Sequence, residues 1–250
     1  MKSIIDNFSS EANEYARFRP LYPETLYEFI FSHTKSMGNA WDAGTGSGQV
    51  AVRLSSSFTS VSATDISVSQ LQEATKKTNI AYTNTRVEKT NFPPNSFNLI
   101  SVAQAIHWFD IPAFYAEVNR VSKPGGVLAV WGYNLINIST AIDLLIRNFY
   151  TNMVGPFWDA ERTLIESSYQ TIPFPFDEIK SPGFEINVKW TFEQLMGYLK
   201  SWSSVKKYTL KKGANPVDLM EHEFKKAWGE EETKDVVFPL FTRIGIVKGR

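Results

Sequence analysis

A mostly parallel α/β sheet with helices on both faces is the fold this sequence predicts, and three observations predict it. Strand-like apolar runs alternate with amphipathic helical runs from residue 24 to about 132. A glycine-rich turn, Asp42-Ala43-Gly44-Thr45-Gly46-Ser47-Gly48, separates the first strand from the helix after it. An acidic residue, Asp65, closes the next strand about 20 residues beyond Gly44, where a nucleotide-binding fold places the carboxylate that takes ribose hydroxyls.

The elements follow in order. Residues 1–23 hold two prolines and several aromatic and arginine residues, too apolar for a disordered tail and too broken for a long helix. A helix runs from Glu24 to about Lys35, with Leu26, Phe29 and Ile30 spaced for burial. Asn39-Ala40-Trp41 is the first strand, and Gln49–Leu54 opens the helix behind the glycine turn. Val61–Asp65 is the second strand, and Ser67 is spaced to cap a helix through Leu71 and Ala74. A third strand begins at Ala81-Tyr82 and leads to Thr85–Glu88. Phe97–Val102 is a nearly continuous apolar run of the kind buried on both faces. Pro112 starts a helix through Phe114, Val118 and Val121. Pro124-Gly125-Gly126 turns into the fifth strand, Val127–Trp131.

Beyond residue 135 the pattern changes. Residues 139–171 read as mainly helical, then Pro173, Pro175 and Pro182 interrupt. Gly183–Trp190 alternates like a half-exposed strand. Helices follow over Phe192–Trp202 and Pro216–Trp228, and a final strand ends the chain through Arg243–Lys248. The expected organisation is therefore a leader over 1–23, a core over 24–135, an elaboration over 136–230 and a last strand within 231–250, all in one domain.

Composition excludes several function classes. At 250 residues the chain can bury roughly three-quarters of its unfolded surface in one core. Lys+Arg and Asp+Glu balance at 26 each, so no net field draws the protein to nucleic acid or an anionic membrane. The absence of cysteine removes disulfides, thiolate metal sites and thiol nucleophiles, and with them iron–sulfur radical chemistry. No metal site is expected. No stretch is long and apolar enough for a signal peptide or a membrane span, which makes a cytoplasmic protein the expectation.

The glycine spacing narrows the ligand. A nicotinamide or flavin fingerprint needs a third glycine at position 49, which is Gln49. The D-x-G-x-G-x-G pattern instead resembles motif I of the class I S-adenosylmethionine-dependent methyltransferases, with Asp65 as their second-strand acid. A carboxylate at the turn's entrance suits a ligand with an ammonium group and no pyrophosphate. Ala103-Gln104-Ala105-Ile106-His107-Trp108-Phe109, with Pro124-Gly125-Gly126 downstream, is similar to the methyltransferase-11 type and its trans-aconitate methyltransferases. The resemblance covers residues 8 to 132 and returns at Ser201-Trp202-Ser203.

That resemblance implies a Rossmann-like, seven-stranded sheet of order 3-2-1-4-5-7-6, the last strand antiparallel. It implies S-adenosyl-L-methionine as cofactor, S-adenosyl-L-homocysteine as product and a small-molecule acceptor. Asp42, Gly44 and Gly46 would hold the methionine end, Asp65 the ribose and Ile66 the adenine. Val87 would offer its backbone N–H to adenine with Glu88 beside it, although Arg86 stands where many relatives carry an acid. Gln104 would lie under the methionine moiety, and His107 and Trp108 would wall the acceptor. Tyr15 and Arg19, in the Y-x-x-x-R-P-x-Y-P leader, would fold over the cofactor as a lid. The alternative is a leader that only packs its aromatic face.

Methyl transfer from a sulfonium needs chiefly alignment, which can supply roughly 7–11 kcal/mol of barrier reduction. A carboxylate acceptor is already ionised, and Arg17 or Arg19 would anchor it. A hydroxyl or amine acceptor would need a base, and His107 is the histidine placed for it. The other reading of His107 is a structural hydrogen bond. Trp131, Trp190 and Trp202 are candidate pocket walls, Trp202 foremost. Two further readings stay open: a non-catalytic S-adenosylmethionine-binding regulator and a nicotinamide oxidoreductase.

Overall fold

The computed structural model describes residues 20–248. Eight strands form one sheet of order β3-β2-β1-β4-β5-β8-β6, with β7 also paired to β8. They are β1 (Asn39–Ala43), β2 (Ser60–Asp65), β3 (Ile80–Asn84), β4 (Phe97–Ala103), β5 (Ser122–Tyr133), β6 (Asp177–Ile179), β7 (Phe184–Trp190) and β8 (Lys234–Ile246). The first five are parallel, and β8 runs antiparallel to β5, β6 and β7. This is the Rossmann-like arrangement the resemblance implied, with one difference. The sixth strand is in two pieces because Lys180-Ser181-Pro182-Gly183 interrupts it, so β6 and β7 share one edge of β8.

Alternation in the strands sends side chains to two cores. Trp41, Ile100, Val102, Leu128 and Val130 pack with Phe114 and Val118 of α4 (Ile111–Val121) on one face. Leu99, Val127, Ala129 and Trp131 pack on the other with Leu26 and Ile30 of α1 (Glu24–Ser32) and Val50 and Leu54 of α2 (Gln49–Ser55). Both faces are thus covered, as a parallel sheet requires. A third core gathers Ile142 and Ile146 of α5 (Thr140–Asn148), Leu195 and Leu199 of α7 (Phe192–Lys200), Phe224 of α10 (Glu221–Trp228) and Phe238 of β8.

Several boundaries depart from the sequence reading. Helix α1 stops at Ser32 and not near Lys35, and β3 stops at Asn84 before the turn that holds Arg86. Strand β5 starts at Ser122, and its register against β4 jumps between Phe97 and Leu99, which absorbs Pro124-Gly125-Gly126 as an irregularity inside the strand. Residues 139–171 are mainly helical as expected, but in four pieces. Helix α5 passes into a single π turn at Phe149–Met153, a 3-10 turn at Gly155–Phe157 and the short α6 (Arg162–Glu166). The Pro216–Trp228 segment divides into α9 (Pro216–Leu219) and α10. Two elements were not foreseen, β6 and α8 (Ser203–Lys212). Helix α3 (Val68–Glu73) is capped as expected, the Gln70 amide donating to Ser67 Oγ.

Candidate active site

The glycine turn closes on the end of β2. Gly44, Gly46 and Gly48 have φ of +73°, +54° and +84°, a region other residues avoid. The amides of Gly44 and Thr45 both donate to the Thr64 carbonyl at 2.9 Å. The Gly46 amide donates to Asp65 Oδ2 and the Ser67 amide to Oδ1, each at 2.8 Å. The turn and the distant aspartate are therefore one unit. A Cβ on Gly44 would stand 2.8 Å from Ala105 Cβ, and one on Gly48 2.4 Å from Tyr82 Oη, so both are packed from behind. Among the described residues a Cβ on Gly46 would meet nothing closer than Gln70 Oε1 at 3.7 Å. Among the described residues Gly46 is thus the glycine of the turn whose backbone is not packed from behind.

Asp42 lies beneath this turn, 1% exposed. Thr45 Oγ1 donates to its Oδ2 at 2.5 Å and Ser101 Oγ to its Oδ1 at 2.8 Å. Burial pushes its carboxyl up to about 6, against the lowering effect of these hydroxyls and of the Ala51 amide. Both carboxylate oxygens thus take hydrogen bonds that tie β1 to the turn and to β4. Ile66 is 43% exposed next to Asp65 and offers an apolar shelf. Val87 has its side chain in the core. Glu88 accepts from Arg86 Nε at 3.1 Å and from the Asp110 amide at 3.0 Å, so the two residues of opposite charge in this turn neutralise each other and tether it to α4. Tyr15, Arg17 and Arg19 lie outside the described residues.

A second cluster sits at the carboxyl ends of β4 and β5, in the crevice where open α/β sheets take ligands. Gln104 has a φ of +53°, and its side chain spans the ends of the two strands. Its Nε2 donates to the Tyr133 carbonyl and its Oε1 accepts from the Tyr133 amide, both at 3.0 Å. His107 and Trp108 stand on the 3-10 turn Ile106–Trp108, and His107 Nδ1 is 2.8 Å from the Tyr169 hydroxyl. Gln104, His107, Trp108 and Trp202 line one cavity of about 70 Å³. Trp158, Arg162 and Lys206 line it too, and sequence reasoning missed all three.

Arg162 is held by two aromatic rings and a phenol oxygen, and that phenol, Tyr150 Oη, donates in turn to Glu166 Oε1 at 2.5 Å. Its guanidinium lies 4.5 Å from the Trp158 ring centre and 5.3 Å from that of Tyr150, and its Nε donates to Tyr150 Oη at 2.9 Å. Trp158 in turn packs 5.6 Å from Trp202. Asp159, the acidic residue on the cavity wall, is ion-paired to Lys207. The one signal that could have flagged this corner is the spacing of Trp158 and Arg162 by four residues. Trp131 and Trp190, by contrast, are core residues. Trp131 is fully buried against Tyr22 and Tyr27, and Trp190 packs on Tyr198 and Phe238. Among the described residues no group of three His, Asp or Glu gathers to hold a metal.

An open glycine turn, a facing carboxylate and an apolar shelf fit the S-adenosyl nucleosides, so fold and site together define an S-adenosylmethionine-binding α/β class. Comparison with known proteins agrees. A methyltransferase-domain family matches residues 41–130. A Dictyostelium discoideum protein named as a methyltransferase is 32% identical over 245 residues, 94% of this chain and 93% of its own. A methyltransferase of Aspergillus candidus is 29% identical over 209 residues, 73% of this chain and 64% of that one. A solved structure described as a type II methyltransferase from Anaeromyxobacter dehalogenans matches with a TM-score of 0.86 at 34% identity, over 93% of this chain and 99% of the other. The chain belongs to the class I S-adenosylmethionine-dependent methyltransferases. No helix among the described residues is long and apolar enough to cross a membrane.

Proposed function

We propose that this enzyme methylates a small-molecule acceptor on a carboxylate. The observation that carries the reading is Arg162, stacked on indole and phenol in the wall of the cavity that also holds His107 and Trp108. A guanidinium on that wall suits an anion. Asp65 is the residue to take the ribose hydroxyls, Ile66 to pack on the base, and the Gly44–Gly46 backbone to meet the amino-acid end. S-Adenosyl-L-methionine supplies a methyl group already activated by its sulfonium. The protein's own task is to orient the acceptor and exclude water. A carboxylate arrives ionised at neutral pH, so no residue has to remove a proton from it.

Small mono- and dicarboxylic acids, alcohols and amines, offered with radiolabelled methyl donor, test this. Carboxylic acids are the expected acceptors. Arg162→Gln should then raise the acceptor KM by roughly tenfold to a hundredfold, the worth of a hydrogen bond to a charged group. Arg162→Lys should recover part of that loss. Turnover confined to amines or alcohols, or an Arg162→Gln enzyme unchanged toward acids, would contradict the reading.

A further inference from the structure

The His107–Tyr169 pair joins segments 62 residues apart at 2.8 Å. Both residues are buried, 4% and 1% exposed, and only His107 reaches the cavity. Tyr169 is held there by an unusual backbone. Ser168 and Tyr169 have φ of +52° and +59°, two consecutive residues in a region that L side chains seldom adopt. Such a conformation persists where its surroundings over-determine it, and it marks a candidate functional position.

The surroundings come from one face of β8. Arg243 Nη1 donates to the carbonyls of Tyr169 at 2.9 Å and Ile172 at 3.0 Å. The same guanidinium is locked by a two-point pair with Glu178 of β6, its Nη2 2.9 Å from Oε2. Phe241, two residues before Arg243 and so on the same face, stands edge-on to the Tyr169 ring at 4.9 Å. Backbone and ring of Tyr169 are both fixed, and its hydroxyl is aimed at His107.

The direction of that hydrogen bond follows from basicity. The imidazole nitrogen, with a conjugate acid near pKa 6.5, is a far better acceptor than a phenol oxygen, whose proton leaves near 10. The Tyr169 O–H therefore donates to an unprotonated Nδ1, and the ring proton of neutral His107 resides on Nε2.

We propose that Tyr169 is a positioning residue that holds His107 as the Nε2–H tautomer, so that His107 does not take a proton from the acceptor. The proposal rests on the reading of this cavity as the acceptor site and deepens it. A cavity histidine held in that form offers no base, which suits an acceptor oxygen that is already ionised. Carboxylates and other acids ionised at neutral pH meet that requirement, and alcohols do not.

The chain has three histidines, so ring tautomers can be read directly. Uniformly 15N-labelled full-length protein at pH 8 gives the imidazole nitrogens by long-range proton–nitrogen correlation. His33→Gln and His222→Gln assign the half-buried and the exposed ring, and the remaining one is His107. His33 is the internal reference of opposite sense: its Nδ1 lies 2.9 Å from the Phe29 carbonyl and 3.1 Å from Ser32 Oγ, whose hydroxyl donates to that same carbonyl, so that Nδ1 carries the proton. His107 should show a protonated Nε2 and a bare Nδ1. Tyr169→Phe should move both His107 nitrogen resonances and leave those of His33 and His222 in place. A protonated Nδ1 in neutral wild-type His107 overturns the proposal, and so do His107 resonances that ignore Tyr169→Phe. Should that variant fail to fold, the wild-type pattern alone decides. Calorimetry with S-adenosylhomocysteine on the same sample separates the two claims. A protein that binds the nucleoside but carries Nδ1–H refutes only the tautomer, whereas one that does not bind it refutes the site reading.

Discussion

Gly46 and Gly48 share a backbone region but not a job. Gly48→Ala drives a methyl group into Tyr82 Oη at 2.4 Å on top of a left-handed backbone, so its cost exceeds the 1–2 kcal/mol or so of that conformation alone. Gly46→Ala has room, and thermal melts should show a loss of only about 1–2 kcal/mol, a few degrees in Tm. Its methyl group would nevertheless occupy the open face of the turn, and calorimetry should show nucleoside affinity falling well beyond what stability does. Equal effects at both positions would contradict this division. Asp42 adds a pH signature. Its folded carboxyl, raised to about 6 from an ordinary 3.8, keeps a proton over a window in which the unfolded chain has lost it. The native state binds more protons there, so this group's contribution to stability falls as pH rises from about 4 to about 6, by on the order of 3 kcal/mol. Asp42→Asn has nothing to titrate, and the advantage of wild type over it should shrink across that window. Parallel melting curves would refute it. The glycines and Asp65 were legible because each sits where a strand ends. Tyr169 and Arg162 were not, since their partners lie far along the chain or in a segment with no regular period.

Gln104 matters most at the scale of elements. Its amide closes the ends of β4 and β5 by pairing both backbone groups of Tyr133, and Gly132 leaves space for it, since a Cβ there would stand 2.2 Å from Gln104 Oε1. Gln104→Ala removes two hydrogen bonds and leaves strand-end groups without their partners. The expected loss is about 2–3 kcal/mol, or roughly 5–10 °C in Tm, read by calorimetric melting. A Tm within a degree of wild type would show that the clamp is dispensable. The parallel strands could be read from the sequence because apolar runs buried on two faces leave a clear pattern. Helix α8 could not: among its buried residues are Ser204 and Val205, and its lysines disguise it as a solvated loop. Strand β6 has three residues and no pattern of its own, and it exists because β8 offers an edge. The sixth strand's position was foreseen from Gly183–Trp190, while its division required knowing where β8 would lie.

The whole molecule divides its work between two ends of one sheet edge. Turn, Asp65 and Ile66 lie at β1 and β2, and the cavity proposed for the acceptor lies at β4 and β5 under the helices that follow residue 135. The two sheet-facing cores hold the first in place, and the third core holds Trp202 and its neighbours against the second. Methyl transfer requires the methyl donor and its acceptor to meet in one crevice, and the proposed acceptor is an anion. Everything depends on the nucleoside occupying the turn that Asp65 faces. Titration calorimetry of wild type and Asp65→Ala with S-adenosylhomocysteine measures that directly. The account predicts one site per chain in wild type and an affinity lower by roughly tenfold or more in the variant, the loss of hydrogen bonds to a charged acceptor. Binding of equal strength in both proteins, or none in wild type, would contradict it.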